Sequence, residues 1–171
     1  LKLANINISQ KPLNQDKKPN QIFNLDQATL VAKANHQTVE IRYLDLKSKQ
    51  GHLLGQGQLV LNGDYPLDFQ LHAEGLQNFS SEIPVKSAEI ALSGALFQKT
   101  ALNVKTLGAI QAELEGNIAL ATENNPFNLS LKSQSLTYPF FPKKGEDPLK
   151  LNNIALNLQG DMRHYQLTLS N

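Results

Sequence analysis

The residues of this chain that are able to act as acids, bases or metal ligands are few and scattered. The four histidines form no i, i+4 pair and have no carboxylate near them at metal-ligand spacing. They are His36, His52, His72 and His164. Glu113 and Glu115 have the spacing of paired acids, but they share one strand face with Gln111. That pattern is typical of solvated strand carboxylates and differs from the carboxylate pair of a glycosidase.

Other catalytic signatures are also missing from the sequence. No serine lies in a nucleophile-elbow context. Gly55 and Gly57 precede a strand pattern, and no Lys-Ser/Thr follows them, so they form no phosphate loop. There are no cysteines, which excludes disulfides, thiol catalysis and cysteine-based zinc sites. We therefore expect no enzyme activity, no catalytic residue, no metal site and no cofactor.

Composition and length narrow the class of protein further. The formal net charge is +1, so no global field attracts nucleic acid. No apolar run reaches the ~18 residues of a membrane span, and no signal peptide is visible. The chain begins at Leu1 and ends in the middle of a pattern, which indicates a fragment of a larger protein. Any membrane contact would then involve segments outside this fragment.

Polar and apolar residues alternate from about residue 25 to the end of the chain. Leu67, Phe69 and Leu71 are apolar, whereas Asp68 and Gln70 between them are polar. This period of two predicts strands with one wet face. The apolar phase slips by one residue near 43–44, which predicts a β-bulge there. We expect residues 1–24 to form an irregular segment and residues 25–171 to form a repeated β array.

Two phrases of the sequence occur twice. Residues 55–75 and 114–136 both read as a glycine, an alternating apolar pair, a polar turn, a proline and three alternating apolar residues. Residues 91–104 return in a similar form at 156–169. A repeat of about 60 residues indicates one supersecondary unit stacked on copies of itself.

The apolar faces need a partner surface, because no amphipathic helix is available to cover them. A β-sandwich would bury them, but aromatic residues are only 6% of the chain and tryptophan is absent. The alternative is a long sheet folded lengthwise into a trough with its apolar rows facing inward. The fold class is all-β and mainly antiparallel, with about ten or more strands, and the residues alone leave sandwich and trough open.

The repeated phrase at 57–71 resembles the repeat of the TamB family, within the wider AsmA-like group of groove-forming lipid-transport proteins. The closing stretch 149–171, with Gly160 and Tyr165, and the SLTYPFF stretch at 135–141 are similar to elements of that repeat. The resemblance implies a taco-like groove with an apolar interior in the periplasm of Gram-negative bacteria. It also implies a parent protein anchored in the inner membrane and reaching toward the outer membrane.

The resemblance further implies partners and a function. The family's role is insertion of outer-membrane β-barrel proteins, together with an outer-membrane barrel subunit of the same translocation and assembly module. Its second role is phospholipid transport between the membranes. We expect the groove, and any phospholipid in it, to be lined by Leu59, Leu61, Leu67, Phe69, Leu71, Ile118, Leu120, Phe127, Leu129, Leu131, Leu156, Leu158, Leu167 and Leu169.

Two alternatives remain. Open sheet edges would template strands of client barrel proteins by β-augmentation, without lipid cargo. A β-sandwich adhesin or carbohydrate-binding array is the other, but such modules usually display aromatic rings on the wet face. Here Tyr and Phe mostly fall in the apolar phase, which counts against it.

Overall fold

A computed structural model describes residues 2–10, 20–78, 85–108, 110–138, 145 and 147–170. Within these ranges the chain forms eleven β-strands and one 3₁₀ turn, Leu76–Asn78. The strands are β1 (Lys2–Gln10), β2 (Asn20–Ala34), β3 (Thr38–Lys47), β4 (His52–Val60), β5 (Pro66–Glu74), β6 (Val85–Ala95), β7 (Thr100–Gly108), β8 (Ala112–Ile118), β9 (Phe127–Tyr138), β10 (Leu149–Gly160) and β11 (Tyr165–Ser170).

The eleven strands form one antiparallel sheet in the order of the sequence, from β1 at one edge to β11 at the other. Each strand pairs with the strand before it, because the connections between alternating segments are mostly short turns. The expected all-β, antiparallel meander is confirmed. The described strands lie in a single sheet, so the two-sheet sandwich considered from the sequence is wrong for this part of the chain.

The first strand differs from the sequence expectation. Residues 1–24 were expected to be irregular, but β1 covers Lys2–Gln10 and β2 already begins at Asn20. The two strands pair along most of their length, from Lys2 opposite Thr29 to Gln10 opposite Asn20. The alternating Ile6 and Ile8 are a short signal, and the neighbouring asparagines, which disfavour strands, obscured it.

The expected bulge lies in β3. Ile41 pairs with Gly57 and Leu44 pairs with Gly55, so Arg42 and Tyr43 together oppose a single residue of β4. The same irregularity appears between β2 and β3. The extra residue returns Leu44 to the face of Ile41 and places Tyr43 on the opposite, polar face. The alternation in the sequence indicated that Tyr43 belongs to the apolar phase, and the structure shows that this interpretation was wrong.

The sequence repeat corresponds to a unit of four strands, β4–β7 and then β8–β11. The turn of the first hairpin accepts backbone hydrogen bonds from the turn of the second. Leu96 N donates to Tyr65 O at 3.1 Å in the first unit, and Met162 N donates to Asn124 O at 2.9 Å in the second. Tyr65 and Asn125 both adopt positive φ, 55° and 48°, immediately before a proline. Equivalent turns are thus built in the same way.

Burial is sparse in this sheet. Among the described residues the buried apolar side chains are only Leu25, Ala28, Ala73, Ala88 and Ile154. With so few buried side chains, the described strands form a sheet whose faces are only partly covered.

Two glycines of β4 show how closely the backbones of β4 and β5 approach each other. A Cβ at Gly57 would overlap backbone atoms of Asp68 and Phe69, whereas a Cβ at Gly55 would meet the end of the flexible Leu71 side chain at 2.6 Å. We expect Gly57→Ala to lower the free energy of unfolding by about 1–3 kcal/mol. Gly55→Ala, the matched control, should change it by less than about 1 kcal/mol because Leu71 is free to rotate.

Urea unfolding followed by circular dichroism measures both variants. Equal losses of stability in the two variants would contradict the close approach of the β4 and β5 backbones at Gly57.

Candidate functional site

The apolar residues of successive strands lie directly opposite one another in the sheet. Residues paired in an antiparallel ladder project from the same face, so the register defines continuous rows. One row runs from β5 to β11 through Leu71, Ile90, Val104, Leu114, Leu131, Leu156 and Leu169. The next row runs through Phe69, Leu92, Leu102, Gly116, Leu129, Leu158 and Leu167.

A third row completes this surface, which we call the apolar face. It runs through Val39, Leu59, Leu67, Gly94, Thr100, Ile118, Phe127, Gly160 and Tyr165. The three rows contain every residue predicted to line a groove except Leu61 and Leu120, which lie in the turns after β4 and β8. The role of these residues in binding cargo stays a prediction.

Sequence reasoning missed part of the apolar face. Ile90, Leu92, Leu102, Val104 and Leu114 come from β6, β7 and β8 and complete the rows between the two predicted groups. The signal was present, because these residues also alternate with polar neighbours. Leu92, Leu102 and Val104 even lie in the repeated phrase 91–104, whose second copy contains the predicted Leu158, Leu167 and Leu169.

Side-chain size changes along the apolar face. Near the long β5–β6 and β9–β10 connections, the opposed residues are small: Ala73 with Ala88, and Ala112 with Ser133. The Ser133 hydroxyl donates to the Gln111 carbonyl at 2.9 Å, so its polar group is satisfied locally. Small side chains thus occupy the middle of the row that contains these pairs, whereas Leu53 and Ile154 at its flanks are large.

Exposure of the apolar face is greatest at β11. Tyr165, Leu167 and Leu169 are 69%, 62% and 63% exposed, respectively. The apolar side chains on the central strands, such as Leu71 and Leu129, are half-buried by side chains of the neighbouring strands on both sides. The difference arises because β11 has a paired neighbour on one side only.

The opposite face of the sheet is polar and carries a ladder of charges. Glu89, Lys105, Glu113 and Lys132 oppose one another on successive strands. Lys105 binds Glu113 at 3.2 Å, and its hydrogen bond lowers the pKa of that carboxyl. Lys132 binds Glu115 at 3.0 Å, which raises the pKa of the lysine. The two glutamates thus bind different lysines, on the half-exposed polar surface where the sequence placed them.

A second polar cluster was not anticipated. The buried Asp45 carboxylate accepts hydrogen bonds from the Tyr43 hydroxyl and from His52 Nε2, each at 2.8 Å, and lies 3.4 Å from Lys47 Nζ. The hydrogen bond from Tyr43 is the main cause that lowers the pKa of Asp45, and the same bond raises the pKa of Tyr43.

The Asp45 cluster contains a histidine–carboxylate contact that residue spacing along the sequence did not reveal. Lys47 pairs with His52 across the tight β3–β4 turn, so Asp45, two residues before Lys47, lies on the same face. Pairing the two strands around the Ser48–Gly51 turn would have revealed the contact from the sequence.

In the described ranges, no three or more His, Cys, Asp or Glu residues come together in an arrangement that would hold a metal ion. The same part of the chain contains no helix with the length and apolar character to cross a membrane.

Four-stranded units that repeat in one open sheet, with an apolar and a polar face, define a repetitive β-scaffold protein. Comparison with known proteins identifies the family to which the chain belongs. Residues 1–171 match the family model described as "TamB, N-terminal domain", so the chain belongs to the TamB family.

One curated relative is "Translocation and assembly module subunit TamB" from Haemophilus influenzae (strain ATCC 51907 / DSM 11121 / KW20 / Rd). It is 36% identical over 159 residues, which cover 90% of this chain. The same region is 12% of the relative, so this chain spans about an eighth of that protein's length. No solved structure matches the chain.

The Asp45 cluster predicts a pH-dependent stability. The carboxylate has a lowered pKa in the folded chain, so its stabilisation is present above the unfolded value of about 3.9 and is lost as the pH falls through the folded value. Tyr43→Phe removes the main cause of the shift. We expect this variant to be less stable than the wild type at neutral pH and the difference to shrink in acid.

Urea midpoints measured from neutral pH to below about 3 test this expectation. Tyr65→Phe is the control, because the Tyr65 ring contacts Phe97 instead of a carboxylate. A stability difference for Tyr43→Phe that stays constant across the pH range would exclude a role for the Tyr43–Asp45 hydrogen bond.

Proposed function

We propose that this chain is a non-enzymatic, periplasmic segment of a TamB-type subunit, whose apolar face provides a path for phospholipid acyl chains between the inner and outer membranes. The observation that supports this proposal is the register, which joins apolar residues of β3–β11 into continuous rows on one face. Family membership supports the wider role, as the relative is named a subunit of a translocation and assembly module.

The physical argument concerns the cost of moving an acyl chain through water. Exposing each CH₂ costs roughly 0.8 kcal/mol, so a chain of about fourteen methylenes costs on the order of 11 kcal/mol. Continuous rows of aliphatic side chains offset this cost at every step. The rows consist mainly of Leu, Ile, Val and Phe, and this uniformity avoids a deep local trap.

Curling of the sheet is part of the proposal. In a sheet curled lengthwise around the apolar face, Leu, Ile and Phe side chains of distant strands would face each other across a groove. Such a groove would shield an acyl chain on more than one side and leave the polar face, with its charge ladder, in water. The partial burial of the central apolar residues supports this arrangement.

Partners follow from the family. In this proposal the parent protein is anchored in the inner membrane through segments outside this chain. It acts with an outer-membrane barrel subunit of the same module and supports insertion of outer-membrane β-barrel proteins. The sequence and the described residues contain no nucleotide or metal signature, so a partner or a gradient would supply any energy.

A second candidate function is strand templating for client barrel proteins. The single-layer sheet favours it, since any free edge of such a sheet offers unpaired backbone groups to an incoming strand. In this case the client would pair with the backbone of an edge strand of the parent protein, and the apolar face would carry no lipid.

Substitutions at two adjacent residues of β9 distinguish the lipid path from strand templating. Leu129 belongs to the apolar face, opposite Leu158, and Asn128 belongs to the polar face, opposite Gln159. We expect Leu129→Asp in the full-length parent to abolish support of the outer membrane while the chain still folds, because an open face lets the carboxylate reach water. Asn128→Asp, the matched control, should retain function.

The measurement is complementation of a strain that lacks the parent protein, together with thermal unfolding of the purified chain. A photoreactive residue at position 129, compared with position 128, should crosslink to phospholipid selectively. Unfolding of Leu129→Asp would indicate a closed core, and normal function of this variant would indicate that the apolar face carries no cargo.

A further inference from the structure

A furrow on the polar face crosses the middle of the sheet. Its volume is about 600 Å³, and residues of five adjacent strands, β3 to β7, line it. At about 4.8 Å between strands, the furrow is about 19 Å long. The volume lies in the range of ligand sites, roughly 300–1,000 Å³. An elongated furrow suits a linear chain of units better than a single compact ligand.

One wall of the furrow is built by the β3 bulge. The bulge brings Arg42 and Tyr43 together at one end of the furrow, and Tyr43 is 43% exposed. The Tyr43 hydroxyl is fixed by Asp45, and Asp45 is fixed by His52, each at 2.8 Å. This network holds an open aromatic face at the furrow before any ligand arrives, which lowers the entropic cost of binding.

The floor of the furrow offers neutral hydrogen-bonding groups. Gln56 Nε2 donates to Gln70 Oε1 at 3.4 Å, and each of these amides keeps a further donor or acceptor for a ligand. Asn103 also lines the furrow. Ala91, between Gln70 and Asn103 in the register, and Leu54, opposite His72, provide small apolar patches.

The charges of the furrow leave one carboxylate without an ion pair. Glu89 lies opposite His72 and Lys105 on the neighbouring strands. His72 binds Glu74 at 3.1 Å and Lys105 binds Glu113 at 3.2 Å, so both turn away from Glu89. Among the described residues, Glu89 has no ion pair of its own. The carboxylate is thus available to accept hydrogen bonds from hydroxyl groups.

These features select a chemical class of ligand. An anion would need a free cation, but Arg42 is bound to Glu40 at 3.1 Å and Lys105 to Glu113. A peptide strand would need unpaired backbone groups, which the ladder of the sheet already uses. An apolar ligand would lose the hydration of the amides. Sugar hydroxyls and N-acetyl groups match the carboxylate, the amides, the small apolar patches and the aromatic ring.

We propose that the furrow binds a short, neutral, linear oligosaccharide that carries N-acetyl groups. The sugar stacks on Tyr43, its hydroxyls donate to Glu89, and its acetamido groups bond to Gln56 and Gln70. Most residues that line this site belong to the polar face, although Leu71 and Ile90 of the first apolar row also border it. Binding there does not depend on the proposed lipid path.

The test is a titration of the isotope-labelled 171-residue chain with chitotetraose, followed by amide NMR and calorimetry. We expect saturable binding, with shift changes confined to β3–β7. Gln70→Ala should weaken the affinity by at least about tenfold. The control is Gln166→Ala, since Gln166 forms a similar amide pair with Gln159 on β10–β11, outside the furrow. This variant should bind like the wild type.

Other outcomes would overturn the proposal. These are the absence of saturable binding to a folded chain, an equal loss of affinity in the Gln166→Ala variant, or the same shifts with inorganic phosphate alone. The amide spectrum reports folding of every variant in the same experiment. Lipid crosslinking at position 129 is a separate result, so failure of the furrow and failure of the lipid path are distinguishable.

Discussion

The register between neighbouring strands is the constraint on which this structure depends. Side chains of a strand alternate between faces, so a slip of one residue would move a whole row of leucines into the polar face. With only a few buried side chains, the described sheet has little core to correct such a slip. The bulge in β3 accommodates one extra residue. It thereby returns Leu44 to the apolar face after the alternation in the sequence has slipped by one position. Close glycine contacts such as that of Gly57 with β5 add a steric restriction to the same register.

Much of this arrangement was readable from the sequence, because its signal is local. Alternation predicted the strands from β2 onward, and the phase slip predicted the bulge. The repeated phrases predicted a unit of about 60 residues, which corresponds to four strands in the structure. Non-local features were harder to predict. The face of Tyr43 depends on how the bulge resolves, and the contact of Asp45 with His52 depends on pairing across a turn.

The two faces divide the chemistry of the chain. The apolar rows consist mainly of Leu, Ile, Val and Phe and extend over many strands. The polar face is heterogeneous, with a charge ladder in one region and a furrow with a fixed tyrosine in another. A single-layer sheet permits this division since neither face has to form a common core. A substitution on one face therefore has little direct contact with the chemistry of the other.

The turn-to-turn hydrogen bonds of the four-stranded unit have a consequence for how such a protein changes length. Each unit closes its own turns, as between Leu96 and Tyr65 or Met162 and Asn124. An even number of strands also returns the chain to the same end of the sheet with the same facing. Duplication or loss of one unit would therefore lengthen or shorten the sheet by four strand spacings, about 19 Å, and preserve both faces. The four-stranded unit therefore sets the step by which gene duplication or deletion changes the length of the sheet.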